Sequence, residues 1–99
     1  MSEDEKKLPY FQFRLSNLLK SQGHTVVPVR SSDFSVDFIA LKNGKARAYR
    51  CKFHGKVYDV ELQKLRTFAK QSGTQTFIAK ENGDREIYFI PVKLHSKAN

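Results

Sequence analysis

The sequence predicts a single α/β domain, a mixed sheet flanked by helices. Three observations lead there. Two stretches carry apolar residues at helical spacing, Leu8, Phe11, Leu15, Leu18 and Leu19 in the first and Leu62, Leu65, Phe68 and Ala69 in the second. Short runs rich in Val, Ile, Phe and Tyr alternate between those stretches and follow them. Gly23, Asn43-Gly44, Gly73 and Asn82-Gly83 punctuate the chain where one element should give way to the next. The order that results is α-β-β-β-α-β-β.

Residues 1–7 read as a charged arm. A helix follows over 8–22, with Pro9 in its first turn and Gly23 just past its end. Residues 25–30 read as a strand, and Pro28 favours an edge or a bulge. Residues 31–35 form a polar loop. Strands over 36–42 and 45–53 flank Asn43-Gly44, which favours a two-residue type I′ turn. A second helix covers 60–72, a strand 76–80, a turn 81–84 and a last strand 85–92. Residues 93–99 read as a basic tail, so the folded domain is 8–92.

With 99 residues there is room for one small core, and eight Phe and four Tyr to fill it. No apolar run approaches the ~18 residues of a membrane span. The acidic start, Met1 to Glu5, lacks a signal core. The single cysteine, Cys51, excludes an internal disulfide framework. Together these imply a cytoplasmic protein in a reducing compartment. The formal net charge is +8, and beyond Glu5 the chain holds 18 basic against seven acidic side chains. Such an excess points to a polyanionic partner, most often nucleic acid, or else to a merely solvated basic surface.

The hairpin carries the chemistry. A two-residue turn sets position 42 against 45 and, five steps on, Asp37 against Arg50. Arg50 and Lys52 then share Asp37's face of the sheet. Asp and Lys are groups that phosphodiester chemistry uses. Arg50 adds a second cation, close enough for a cross-strand ion pair with Asp37. Glu61 and Asp59 open the second helix and can reach back to Asp37. Equally, Asp59 can cap that helix while Glu61 favours its dipole. Cys51 points the other way, into the core, as a small buried hydrophobe. His24, His54 and His95 share no zinc-ligand spacing.

This arrangement resembles the PD-(D/E)xK restriction-endonuclease-like superfamily and, within it, the archaeal-type Holliday junction resolvases. The resemblance rests on five stretches. These are Leu18-Leu19-Lys20-Ser21-Gln22-Gly23, Arg30-Ser31-Ser32, Val36-Asp37-Phe38-Ile39-Ala40-Leu41-Lys42, Cys51-Lys52, and Leu65 to Gly73 followed by Phe77-Ile78-Ala79. It implies a site built from a helix-one Glu, an Asp, a second Glu and a Lys, with the acids holding Mg²⁺ or Mn²⁺. Asp37 and Lys52 match. Gln12 stands at the helix-one Glu position and Arg50 at the second Glu, so no cofactor is expected in the family manner. If the chain is active, a migrated Glu61 would join Asp37 and Lys52, with Asp37 as metal ligand.

The resemblance also implies homodimers that act on four-way DNA junctions in recombination and repair. Tyr10, Phe11 and Phe13, on more than one side of the first helix, fit a dimer contact. Ser31 and Ser32 align with a phosphate-contacting loop, or form an ordinary turn beside Asp33. Arg30, Lys52, His54 and Lys56 gather at the rim, and Lys42, Lys45 and Arg47 at the hairpin tip; with Arg50 they are the candidate DNA contacts. Three functions remain. The chain is a DNA-binding protein with impaired cleavage, an active Mg²⁺-dependent structure-selective endonuclease, or a protein-interaction module.

Overall fold

Phe11, Leu15 and Leu19 lie four residues apart, and that spacing stacks them on one side of a helix. All three are buried, at 0%, 0% and 1% exposure. They belong to α1, Glu3–Ser21. The structure is a computed structural model that describes residues 3–30, 34–53 and 55–94, with side chains from residue 8 onward. Helical backbone starts at Glu3, inside the stretch read as an arm. Pro9 therefore lies in the second turn, not the first, and forfeits one backbone hydrogen bond there. After α1, Gly23 takes a φ of +91° and lets the His24 N–H close on the Leu19 carbonyl at 3.0 Å.

Five strands form one sheet in the order β1-β2-β3-β4-β5. They are β1 Thr25–Pro28, β2 Phe38–Lys42, β3 Lys45–Phe53, β4 Gln75–Glu81 and β5 Ile87–Pro91, with α2 Asp59–Ser72 between β3 and β4. The expected element order holds throughout. β3 and β4 run parallel, joined by α2, and the other pairs are antiparallel. β1 and β5 are the edges, and each ends on a proline, Pro28 and Pro91. The last turn is longer than expected. Asn82 Oδ1 accepts the Asp84 and Glu86 N–H groups at 2.8 and 3.0 Å, Arg85 takes a φ of +64°, and β5 starts only at Ile87.

Asn43 and Gly44 both adopt positive φ, 53° and 75°, as a type I′ turn demands. The pairing runs Lys42↔Lys45 to Phe38↔Tyr49, the register expected. Alternation then sorts β3 between two cores. Tyr49, Cys51 and Phe53 pack with α1, while Ala48 packs with Leu65 of α2. The helices thus cover opposite faces, and Arg50 and Lys52 fall on the α2 face. The β3–β4 ladder shifts between Cys51 and Phe53, a bulge with Lys52 as the extra residue. Among the described residues no helix is long and apolar enough to cross a membrane.

Truncating the α1 stripe tests this arrangement. Leu15→Ala should cost ~2–5 kcal/mol in chemical denaturation. Leu18→Ala, at a half-buried position one residue from the stripe, should cost clearly less.

Candidate functional site

Asp37 lies one residue before β2, but the ladder continues through it: its N–H donates to the Tyr49 carbonyl at 2.8 Å. This sets Asp37 opposite Arg50. Its Oδ2 accepts the Cys51 N–H at 2.7 Å. Arg50 Nη1 stands 3.6 Å from Asp37 Oδ1, an ion pair without close contact. The closer partner is on α2. Arg50 Nη2 and Nε reach Glu61 Oε2 at 2.7 and 3.2 Å, and Lys52 Nζ reaches Glu61 Oε1 at 2.8 Å.

The expected Arg50–Asp37 ion pair is therefore present but long, and the guanidinium's close hydrogen bonds go to Glu61 instead. Two reasons are visible. The short Asp37 side chain is already engaged by the Cys51 amide, and the long Arg50 side chain extends past it to the start of α2. Glu61 is the third residue of that helix, and its Oε1 also accepts the Tyr58 N–H at 3.3 Å. Tyr58 is the N-cap and Asp59 the first helical residue, so Asp59 does not cap. Lys52 and Lys56 flank the Tyr58 ring, with Nζ atoms 5.5 and 6.0 Å from its centroid.

Burial and hydrogen bonding pull the two carboxyls apart. Burial raises Asp37 above the usual range, more than the Cys51 N–H and Arg50 lower it. For Glu61 burial acts in the same sense, but hydrogen bonds from Lys52, Arg50 and the Tyr58 N–H outweigh it and hold the group low. Burial, with Asp37 alongside, drives the Cys51 thiol far up, so it is no nucleophile at neutral pH.

Two carboxylates face two cations, and the cluster is formally neutral. Mg²⁺ needs near-octahedral oxygen ligands at 2.0–2.1 Å. Here the guanidinium bridges the oxygens that a metal would take, and no group of three His, Cys, Asp or Glu gathers among the described residues. The residues as arranged do not fit a divalent metal. Gln12 is half-buried on α1, and among the described residues no hydrogen bond joins it to the cluster.

The remaining candidates do not form one track. Arg30 is exposed just beyond Val29, whose N–H donates to the Asp37 carbonyl at 2.9 Å, and no hydrogen bond or ion pair joins the Arg30 side chain to the cluster among the described residues. Ser31, Ser32 and His54 lie outside the described residues, as does His95. Lys42, Lys45 and Arg47 fall on the α1 face at the far end of the hairpin. There they line a pocket of about 290 Å³ with His24 and Asn43. Sequence reasoning weighed His24 only as a zinc ligand. The signal available was the register, since Thr25 pairs with Leu41 and brings His24 beside Lys42. A further pocket of about 390 Å³, lined in part by Tyr10, Arg14, Phe53 and Glu81, was also missed. Arg14 closes it through an ion pair with Glu81 and a 2.6 Å hydrogen bond to the Arg85 carbonyl.

Comparison with known proteins bears on the same geometry. The family model described as archaeal Holliday junction resolvase (Hjc) matches residues 10–99. No curated protein matches the chain. Among solved structures it is similar to Archaeoglobus fulgidus Hjc, a Holliday junction resolvase from an archaeal hyperthermophile. The two are 21% identical and superpose with a TM-score of 0.76 over 94% of this chain and 79% of that one.

Opposite pKa displacements give opposite mutational signs. Glu61 is held below its ordinary 4.5, so its stabilisation is present above that value and fades as pH falls through the lower folded one. Glu61→Ala should cost ~1–2 kcal/mol at pH 7, with the deficit shrinking below pH 4.5. Asp37 lies above its ordinary 3.8, so its charge opposes folding at neutral pH. Asp37→Asn should raise the thermal midpoint at pH 7, and an equal fall for both variants would contradict the assignment.

Proposed function

The chain belongs to the archaeal Holliday junction resolvase family, and on that premise we propose that it binds duplex and branched DNA, four-way junctions included, with metal-dependent cleavage impaired. The observation that carries this reading is Arg50, 2.7 Å from Glu61 and 3.6 Å from Asp37 on one guanidinium. Two unit charges ~4 Å apart interact by ~4 kcal/mol at an effective dielectric of 20. A doubly charged cation approaching these carboxylates meets at least that repulsion from Arg50, and Lys52 adds to it. A phosphate is drawn by the same two cations, against the two carboxylates they already serve.

The charge of the chain supports DNA as the partner. The net +8 is spread over 18 basic side chains, enough for several phosphate contacts. Lys52 and Lys56 stand at the cluster around Tyr58, and Arg30, Ser31, Ser32 and His54 join the proposed contacts from the sequence alone. A homodimer is part of the reading, and the 62% exposure of both Tyr10 and Phe13 supports α1 as its contact. Acting on DNA puts the protein inside the cell.

One observation favours a second reading. Glu61 shares a guanidinium with Asp37, so the two acids stand close together although they come from different elements. With Arg50 turned outward, Asp37 and Glu61 would offer Mg²⁺ or Mn²⁺ two carboxylates beside Lys52. That is an active structure-selective endonuclease using a migrated carboxylate.

Calorimetry and cleavage separate the two. The impaired site should show no stoichiometric Mn²⁺ binding and no cutting of a labelled four-way junction. Arg50→Glu should create Mn²⁺ binding or raise cleavage. Tight Mn²⁺ binding by the unaltered protein, or cleavage that Asp37→Ala abolishes, would decide for the active enzyme. Junction affinity should fall steeply with salt; a flat dependence would sink DNA binding altogether.

A further inference from the structure

The pocket at the hairpin tip lies apart from the Asp37 cluster. Asp37 and Lys42 are five residues apart along one strand, ~17 Å at 3.2–3.4 Å per residue. They also differ in face. Lys42 shares its side with Ala40, which packs under α1, while Asp37 shares its side with Ile39, which packs toward α2. One phosphate therefore cannot touch both places.

The charged part of the lining is all cationic. Lys42 and Lys45 stand directly opposite each other, and Arg47 follows Lys45 on the same face. Like charges paired across a ladder repel. Among the described residues no carboxylate forms an ion pair with any of the three. Lys42 is held at the rim by a 2.6 Å hydrogen bond to the Gln22 carbonyl at the end of α1, and its stem lies against Gly23, where an added Cβ would come within 3.4 Å. The His24 Nδ1 atom is shut away from solvent with no hydrogen-bond partner. A neutral imidazole carries a single N–H. Burial, then Lys42 and Arg47, keep the ring neutral. Asn43 adds an amide. Three repelling cations and a neutral N–H around about 290 Å³ are matched by one ligand chemistry, a small oxyanion with several acceptor atoms.

We propose that His24, Lys42, Asn43, Lys45 and Arg47 form a second phosphate site, which takes a backbone phosphate of a DNA segment other than the one at the Asp37 cluster. Only the source of the phosphate rests on the DNA-binding reading; the oxyanion chemistry does not. On a branched substrate, two sites on opposite faces suit two arms.

Two measurements test it on the full chain. The first is an amide NMR titration with sulfate at low ionic strength. Shifts should be large at residues 23–24 and 42–47, whether or not Arg50 to Lys52 also respond; shifts absent from 23–24 and 42–47, or uniform small shifts, overturn the site. The second is four-way-junction binding over a salt series by the double variant Lys45→Gln, Arg47→Gln. Both residues are exposed, Arg47 with its guanidinium 5.9 Å over the Phe77 ring, so thermal melts confirm folding, and Lys64→Gln, Lys70→Gln on α2 serves as a charge-matched control. Affinity should fall about tenfold, and the slope of log K against log salt should drop by ~1–2 for the pocket variant, against a clearly smaller change for the control. Equal losses mean diffuse electrostatics and overturn the site. Junction binding that the pocket variant leaves intact removes DNA as the ligand while the DNA-binding reading stands. Localised sulfate shifts in a chain that binds no DNA keep the oxyanion site and remove the DNA-binding reading instead.

Discussion

Asn43 and Gly44 are the only two residues between β2 and β3, and both sit in the left-handed region that a type I′ turn requires. A turn so short leaves the strands one register. Because side chains alternate with a period of two, a slip by one residue would exchange the faces of every side chain on the slipped strand. Tyr49 and Cys51 would leave the α1 core, and Arg50 would turn into it. Apolar burial on both sides of β3 and the location of the charged cluster are thus the same constraint. The fold holds Asp37, Arg50 and Lys52 together because it cannot bury Tyr49, Cys51 and Ala48 in any other way.

Within that frame the cluster is governed by side-chain length. Asp37 has one carbon between its carboxylate and the strand, and the nearest donor is the Cys51 amide. Arg50 has three, and so passes Asp37 and meets the first turn of α2. Glu61 collects Arg50, Lys52 and the Tyr58 amide, which joins β3 to α2 by charge as well as by the chain between them. The bulge at Lys52 belongs to the same junction, since it ends regular pairing with β4 where the chain leaves for α2. One carboxylate thus serves as half a capping box, a counterion for two cations and a strut between layers.

Much of this was legible in the sequence, for unequal reasons. The element order followed from apolar periodicity and glycine punctuation. The hairpin register followed from two residues whose φ preference is strong, and Asp37 opposite Arg50 came with it. Glu61 was named, but its grip on Arg50 was not. That choice depends on where α2 starts relative to β3, which the tilt of a helix over a sheet decides and a linear pattern does not encode. Pro9 misled because one missing backbone hydrogen bond weakens a helix without ending it, and α1 starts at Glu3. The hairpin-tip pocket escaped because His24 lies between α1 and β1 and joins Lys42 only through the β1–β2 ladder. The Arg14–Glu81 pair escaped for a like reason, since its members are 67 residues apart.

The two edge strands each finish on a proline. A free sheet edge is a template for another strand, because its outward N–H and C=O groups are unpaired, and β1 and β5 also carry exposed Val27, Tyr88 and Ile90. Proline has no N–H to offer and its ring crowds an incoming backbone. Pro28 and Pro91 therefore limit how far an added strand could zip along either side. If the protein gathers on DNA as proposed, neighbouring copies are held at high local density. Blunted edges let them crowd there as separate folded units instead of merging into a continuous intermolecular sheet.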